Sequence, residues 1–301
     1  MRSSTLATGI LASLFGAVTG EARAGSYPVT PNIVVGGAIA AVNPQTVPAG
    51  ADLVGCHSSV DHYPVVLVNG TFSVMEDDFG GLASDLANSG YCVYTFNYGY
   101  NHPTDLIEAI GPVPESAQQL ASFVTSVKAA TGAQQVDLVG HSQGGMLTEY
   151  YAKILNGAAN VHSIVALSPT THGTTLDGIT ELAAFFPGAN QIVADACPAC
   201  ADQEVGSAVI AAVDNGPIAQ PGVKYTVIET LDETVVTPVG SSFINEAGVT
   251  NEYVQHFCPL DPVDHADLAY DNVVIQLVKN ALAPGLARKP NCFLEFPVPT
   301  Y

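Results

Sequence analysis

Ser142 stands in Gly140-His141-Ser142-Gln143-Gly144, a Gly-x-Ser-x-Gly pattern whose small flanking residues let a strained serine project its hydroxyl. A serine hydroxyl alone is a weak nucleophile. To attack an acyl carbon it needs a base to take its proton, a carboxylate to orient that base, and donors for the oxyanion that forms. With this pattern the partners follow in the order Ser, Asp or Glu, then His. Asp232 and Glu233 lie just past an apolar run that ends at Thr230, and His265 lies past one that ends near Phe257. Asp232 is therefore the candidate acid, with Glu233 as the alternate, and His265 is the candidate base. The amide of Gln143 is one expected oxyanion donor, and the amide of Thr71, in the turn after Pro64 to Gly70, is the other. The Thr71 hydroxyl is a further possible donor, and Phe72 beside it is a candidate for the acyl pocket.

These residues need a scaffold that brings the ends of several strands together. Val136, Leu138 and Val139 form a short apolar run suited to a buried strand. Leu147, Tyr150, Tyr151 and Ile154 then recur with helical period, so a strand turns into a helix at Ser142. Pro64 to Gly70 reads as a buried strand, followed by a helix marked by Phe79, Leu82 and Leu86 and closed by Gly90. Tyr91 to Tyr98 is the next strand. A helix starting at Pro114 and Glu115 carries Leu120, Phe123, Val124 and Val127 and stops at Gly132. Later strands are expected at His162 to Leu167, Lys224 to Thr230 and Tyr253 to Phe257, with a final helix over Val274, Leu277, Val278 and Ala281. Alternation of this kind predicts an α/β class fold: a mostly parallel central sheet covered by helices on both faces, with function at the carboxyl ends of the strands. Residues 171–222 are too long for a simple connection and are read as a cap-like insertion, although a helix covering the sheet accounts equally well for the second half. Residues 25–60 are expected to be an extended lead-in with at most one short strand.

Met1-Arg2, the apolar run from Thr5 to Gly20 and Ala22-Arg23-Ala24 match a signal peptide with cleavage after Ala24, which predicts a secreted, extracellular protein. Residues 25–301 then form a single domain, without a second apolar stretch long enough to span a membrane. Eight Lys and Arg against 28 Asp and Glu give a net charge of −20, which leaves no basic patch for nucleic acid and repels anionic membranes. Six cysteines in a secreted chain imply three disulfides, with 15 formal pairings. Locality favours Cys56 with Cys92, Cys197 with Cys200, and Cys258 with Cys292. His57, His62, His102, His141, His162, His172 and His256 show no metal-ligand spacing, so neither a metal nor a cofactor is expected. Asn69-Gly70-Thr71 is formally a glycosylation sequon, but at a buried strand end it is not expected to be used.

Taken together, the segments from about Cys56 to Cys92 and on to Cys292 resemble the secreted class 2 lipase family of bacterial α/β-hydrolases. Pro64 to Phe72 is similar to the family's oxyanion strand, and Gly90-Tyr91-Cys92-Val93 with Asn97-Tyr98-Gly99 to the strand that follows. Gly140 to Gly145 is similar to its elbow. Cys197-Pro-Ala-Cys200, Val235-Val236-Thr237-Pro238 and Asp264-His265 follow in the family's order. The chain departs from the pattern twice. It has Asn69-Gly70-Thr71 where the family has His-Gly-Thr, and counting back from Pro238 without a gap puts Glu233 at the family's aspartate, whereas a one-residue shift preserves Asp232. Asp232 is preferred because aspartate has fewer side-chain torsions to fix. The resemblance implies an α/β-hydrolase fold and hydrolysis of carboxylic esters, acylglycerols first, through an acyl-enzyme. Short soluble esters, polyesters or thioesters, or a catalytically silent binding module, are the alternatives.

Overall fold

In the computed structural model Val136–His141 forms the strand (β3) that ends at the nucleophile candidate, and it lies inside a parallel sheet. The structure describes residues 27–60, 63–100, 102, 104–175, 177–179, 183 and 197–293. The expected signal peptide, and most of the first half of the expected cap, lie outside the described residues. The other strands are β1 (Val65–Val68), β2 (Val93–Thr95), β4 (Val161–Leu167), β5 (Lys224–Glu229) and β6 (Val249–Tyr253). Their order is β2-β1-β3-β4-β5-β6, every neighbouring pair parallel. Gly140 pairs with Val68 on one side and Ala166 on the other, which brings the strand ends that follow to the same edge.

The strands alternate their side chains between two apolar layers, as a period of two requires. Val66, Val68, Leu138, Ile164, Ala166 and Val227 pack under α3 (Val113–Thr131) and α4 (Gln143–Lys153). Val65, Leu67, Val139, Val165 and Ile228 face α2 (Met75–Asn88) and α8 (Asn272–Leu282). Helix α3 buries Ala117, Leu120, Val124 and Val127 at three- and four-residue spacing, and it stops where Gly132 adopts φ 73°. On α8 the Asp271 carboxylate caps the amides of Val273 and Val274 at 2.8 and 2.9 Å.

Two expected elements differ. Residues 33–42 form a helix (α1, Ile33–Val42), not an extended lead-in. The run is apolar on every side, so it has no period to read. Asn32 nevertheless caps the Val35 amide at 3.0 Å, and Gly36 lets the helix abut Tyr270 and the backbone of Glu76 and Asp77. The expected strand at Tyr253 to Phe257 is likewise displaced. The strand is Val249–Tyr253, and Val254–Phe257 is a helical turn (α7). Val-Thr-Asn-Glu-Tyr is an edge strand that keeps polar residues half-exposed, so its apolar signal is weak.

Within the expected insertion, α5 (Pro198–Asp202) carries Ala199 and Cys200 into a small apolar cluster with Phe72, Ile110, Ile179, Ala183, Cys197, Val235 and Val236. Helix α6 (Ala208–Asp214) instead puts Val209, Ile210 and Val213 into the main core beside Leu147. The second half of the insertion thus covers the sheet. Disulfides join Cys56 to Cys92, Cys197 to Cys200 and Cys258 to Cys292. No described helix is long and apolar enough to cross a membrane.

Candidate active site

Ser142 follows β3 directly and precedes α4, with φ 54° and ψ −122°, a backbone conformation that residues other than glycine rarely adopt. The glycines around it are needed for a packing reason. A Cβ on Gly144 would overlap the Val68 carbonyl, and one on Gly140 would overlap the Gly144 carbonyl. The elbow is thus pressed against β1, and a Cβ on Gly70 would lie 3.1 Å from that of Ser142. Ser142 Oγ is buried and has no hydrogen-bond partner among the described residues.

His265 lies in the loop between α7 and α8 and is fully buried. Its loop is fixed at several points. The Thr230 hydroxyl donates to the Val263 carbonyl at 2.6 Å, Gln255 Nε2 donates to the Asp261 carbonyl at 3.0 Å, and His141 Nε2 lies 2.9 Å from the His265 carbonyl. The rings of His141 and His265 are 4.8 Å apart, so His265 adjoins the residue before Ser142. His265 Nε2, like Ser142 Oγ, is buried without a partner among the described residues.

The carboxylate on His265 belongs to Glu233, not to Asp232. Nδ1 of His265 lies 2.8 Å from Glu233 Oε2, while Glu233 Oε1 accepts the amides of Val235 and Val236 at 2.8 and 2.9 Å. The preference for Asp232 is corrected by how the chain leaves β5. The Asp232 amide donates to Thr230 Oγ1 at 3.1 Å, which turns Asp232 outward to an exposed position while Glu233 points inward and is buried. Burial would push the Glu233 carboxyl up, but the charge and hydrogen bond of His265 and the Val236 amide outweigh it and hold it below the ordinary value. Glu233 is therefore ionised at neutral pH.

The amides of Thr71 and Gln143 make no hydrogen bond among the described residues, which leaves both free to donate. The Thr71 hydroxyl, by contrast, is already engaged. It donates to Gln143 Oε1 at 2.7 Å and accepts from Gln203 Nε2 at 2.8 Å. Gln203, just past α5, also donates to the Ala199 carbonyl at 3.0 Å and accepts from the Thr170 hydroxyl at 3.1 Å. The Phe72 amide is tied to the Glu108 carbonyl at 3.0 Å, and its side chain is fully buried in the cluster with Ile110, Val235 and Val236. Asn69, at the start of this turn, is buried and donates from Nδ2 to the Ser73 carbonyl at 2.7 Å.

A model of the lipase (class 2) family matches residues 62–278, which is most of the chain. The chain belongs to the class 2 lipase family. Over 142 residues this class 2 family member is 34% identical to a triacylglycerol lipase of Burkholderia plantarii, covering 46% of this chain and 36% of that one. Over 97 residues it is 39% identical to a triacylglycerol lipase of Pseudarthrobacter phenanthrenivorans, covering 31% and 28%. The matches thus span well under half of the length of these curated relatives. Among solved structures, lipase B of Aspergillus fumigatus superposes with a TM-score of 0.56 at 18% identity, over 76% of this chain and 54% of that one. An esterase from Rhodococcus sp. ECU1013 gives 0.50 at 17% identity, over 75% and 91%. These likenesses concern the fold, which is the α/β-hydrolase fold.

Some residues at the site carried no readable signal. Gln203 and Thr170 sit in stretches without a motif, and Asp78 looks like one more acid at the start of an amphipathic helix. His141 stands inside the motif, but the pattern assigns no role to that position.

Proposed function

We propose that this member of the class 2 lipase family is a secreted serine carboxylic-ester hydrolase that cleaves acylglycerols through an acyl-enzyme. The observation that carries the reading is the pairing of His265 Nδ1 with an ionised Glu233 next to the strained elbow, where the His265 ring lies 4.8 Å from that of His141 and both His265 Nε2 and Ser142 Oγ are buried without a hydrogen-bond partner among the described residues. Ser142 Oγ attacks the acyl carbon and its proton passes to His265 Nε2. The imidazolium that forms is stabilised by Glu233, and the oxyanion accepts the amides of Thr71 and Gln143. The carbon–oxygen bond to the alcohol then breaks, with the proton returning from Nε2 to the departing oxygen. Water repeats the sequence on the acyl-enzyme and releases the acid.

In this reading the two amides form the oxyanion hole and the Thr71 hydroxyl sets the Gln143 side chain rather than bonding the oxyanion, since its proton is already donated. The acyl chain lies against Phe72, Ile110, Val235 and Val236. The signal peptide over residues 1–24, the single domain over 25–301 and the cap over 171–222 belong to the same proposal. The six cysteines, all paired in disulfides, and a charge of −20 suit an extracellular protein.

The test pairs a fluorophosphonate probe with a comparison of acyl-chain lengths. Wild-type protein should be labelled at Ser142 and should hydrolyse tributyrin and a long-chain triacylglycerol, whereas Ser142→Ala should do neither. Equal labelling of the two proteins would reject the nucleophile. Activity confined to short soluble esters would reject acylglycerols as the substrate class.

A further inference from the structure

The proposed reaction needs the His265 loop and the Thr71 turn to be held in register with Ser142, yet neither belongs to the strand that carries the serine. The side chain next to Ser142 reaches both. His141 is buried, with Nδ1 2.7 Å from Asp78 Oδ1 and Nε2 2.9 Å from the His265 carbonyl. Asp78, on α2, uses its second oxygen Oδ2 to accept the Gly70 amide at 2.6 Å and the Ser73 hydroxyl at 3.3 Å. A single chain of bonds therefore runs from the oxyanion turn through Asp78 and His141 to the backbone of the base.

Both partners of the His141 ring are acceptors. A neutral imidazole carries one N–H and can fill only one of the two bonds, whereas the imidazolium fills both. We infer that His141, kept as an imidazolium by Asp78, is a positioning residue that clamps the base loop and the oxyanion turn to the nucleophile elbow. The inference rests on the serine hydrolase reading given above.

The surroundings agree with this state. Burial alone pulls the His141 imidazole down, but the charge and hydrogen bond of Asp78, the His265 carbonyl and the Glu233 charge together more than offset it and leave it above the ordinary histidine value. The groups facing it come from three other elements. Asp78 lies on α2, Glu233 on the loop after β5, and His265 on the loop before α8. Beside Asp78, burial and the Asp78 charge push the Asp77 carboxyl well up. Tyr98, whose phenol donates to the Asn69 carbonyl at 2.5 Å, is raised by burial and by Asp78 and stays protonated. The Asp78–His141 pair carries no net charge, so it does not oppose the imidazolium that His265 becomes in the transition state. Deprotonation of His141 at alkaline pH leaves the single N–H on Asp78 and breaks the bond to the His265 carbonyl.

The experiment uses a water-soluble ester with His141→Gln and Asp78→Asn. His141→Gln should lower kcat about 100-fold with little change in KM, the cost of a slightly misplaced base. It should also remove the alkaline limb that His141 gives the wild-type pH profile of kcat. Asp78→Asn keeps an acceptor for the Gly70 amide but removes the charge, so it should shift that limb to lower pH. A kcat within threefold of wild type in both variants, or a lower melting temperature with an unchanged pH profile, would overturn the proposal. Should either variant fail to fold, nitrogen NMR of the His141 ring in the wild type decides: two protonated nitrogens at neutral pH support it, and one overturns it. That spectrum does not depend on turnover, so a failure of the serine hydrolase reading, visible as a Ser142→Ala protein that keeps its activity, is distinguishable.

Discussion

Replacing Glu233 by glutamine tests the site at the point where the two neighbouring acids part. Glu233 divides its oxygens: Oε1 accepts two amides at 2.8 and 2.9 Å, and Oε2 holds His265 Nδ1 at 2.8 Å. In Glu233→Gln the amide oxygen can keep the two backbone bonds, which places the NH2 group against Nδ1. An NH2 donates, so His265 is driven to the tautomer with its proton on Nε2, where it cannot accept the proton of Ser142. Losing an acid of this kind lowers kcat roughly 10,000-fold, equivalent to about 5 kcal/mol of transition-state stabilisation. Glu233→Asp keeps the charge but shortens the side chain by about 1.5 Å, so it cannot hold both sets of partners and should cost about 10- to 100-fold. Asp232→Asn, at an exposed position, should stay within about threefold of wild type. Steady-state kinetics on a soluble ester, with circular dichroism to establish folding, would separate the three. A larger loss in Asp232→Asn than in Glu233→Gln would refute the assignment.

Further outcomes concern the scaffold. Burial raises Glu108 and Glu149 to about 8 and Glu229 to about 7; each contributes stability that is fully present below the unfolded carboxylate value and is lost as pH rises through about 7 to 8. The melting temperature should therefore fall between pH 5 and pH 9 and fall less in Glu149→Gln; parallel curves for the two proteins would contradict this. Gly144→Ala should cost more than about 3 kcal/mol or prevent folding, because its Cβ would overlap the Val68 carbonyl. Gly37→Ala, on the open face of α1, should instead stabilise by about 0.5–1 kcal/mol in a denaturant titration. Replacing Cys258 and Cys292 together by serine should lower stability by about 2–5 kcal/mol and reduce kcat as well, since that bridge anchors the segment leading to His265. An unchanged kcat at a temperature where the double variant is folded would show that the loop does not need it.

What could be read from the residues was whatever local pattern encodes. Apolar runs such as Val65 to Val68 and Val161 to Leu167 are buried on both faces, so their composition alone marks them as strands. The elbow is equally local, because its glycines and serine are contiguous. Helix α1 could not be read, since an all-apolar run with two adjacent glycines has no period and its stability comes from packing on α2 and Tyr270. Neighbouring acids after β5 could not be ranked by torsional freedom. What decides between them is the Thr230 hydroxyl, which turns Asp232 outward. Asp78 and His141 meet across 63 positions, and His141, Gln203 and Thr170 reach further partners 33 to 132 positions away, distances at which a single sequence carries no pairing signal.

The close approach of main chain around Ser142 bears on how this protein could be redesigned. At Gly140 and Gly144 the neighbouring space is taken by main-chain atoms, so no side chain at those positions could reshape what the nucleophile meets, and a Cβ on Gly70 would press on Ser142 at 3.1 Å. A library aimed at a different acyl group would find almost no viable members there. Phe72, Ile110, Val235 and Val236 meet through side chains instead, where volume can be exchanged between partners. On the proposed function, in which the acyl chain lies against that cluster, selection for a new chain-length preference has room to act there, at some cost in stability but with the elbow left intact.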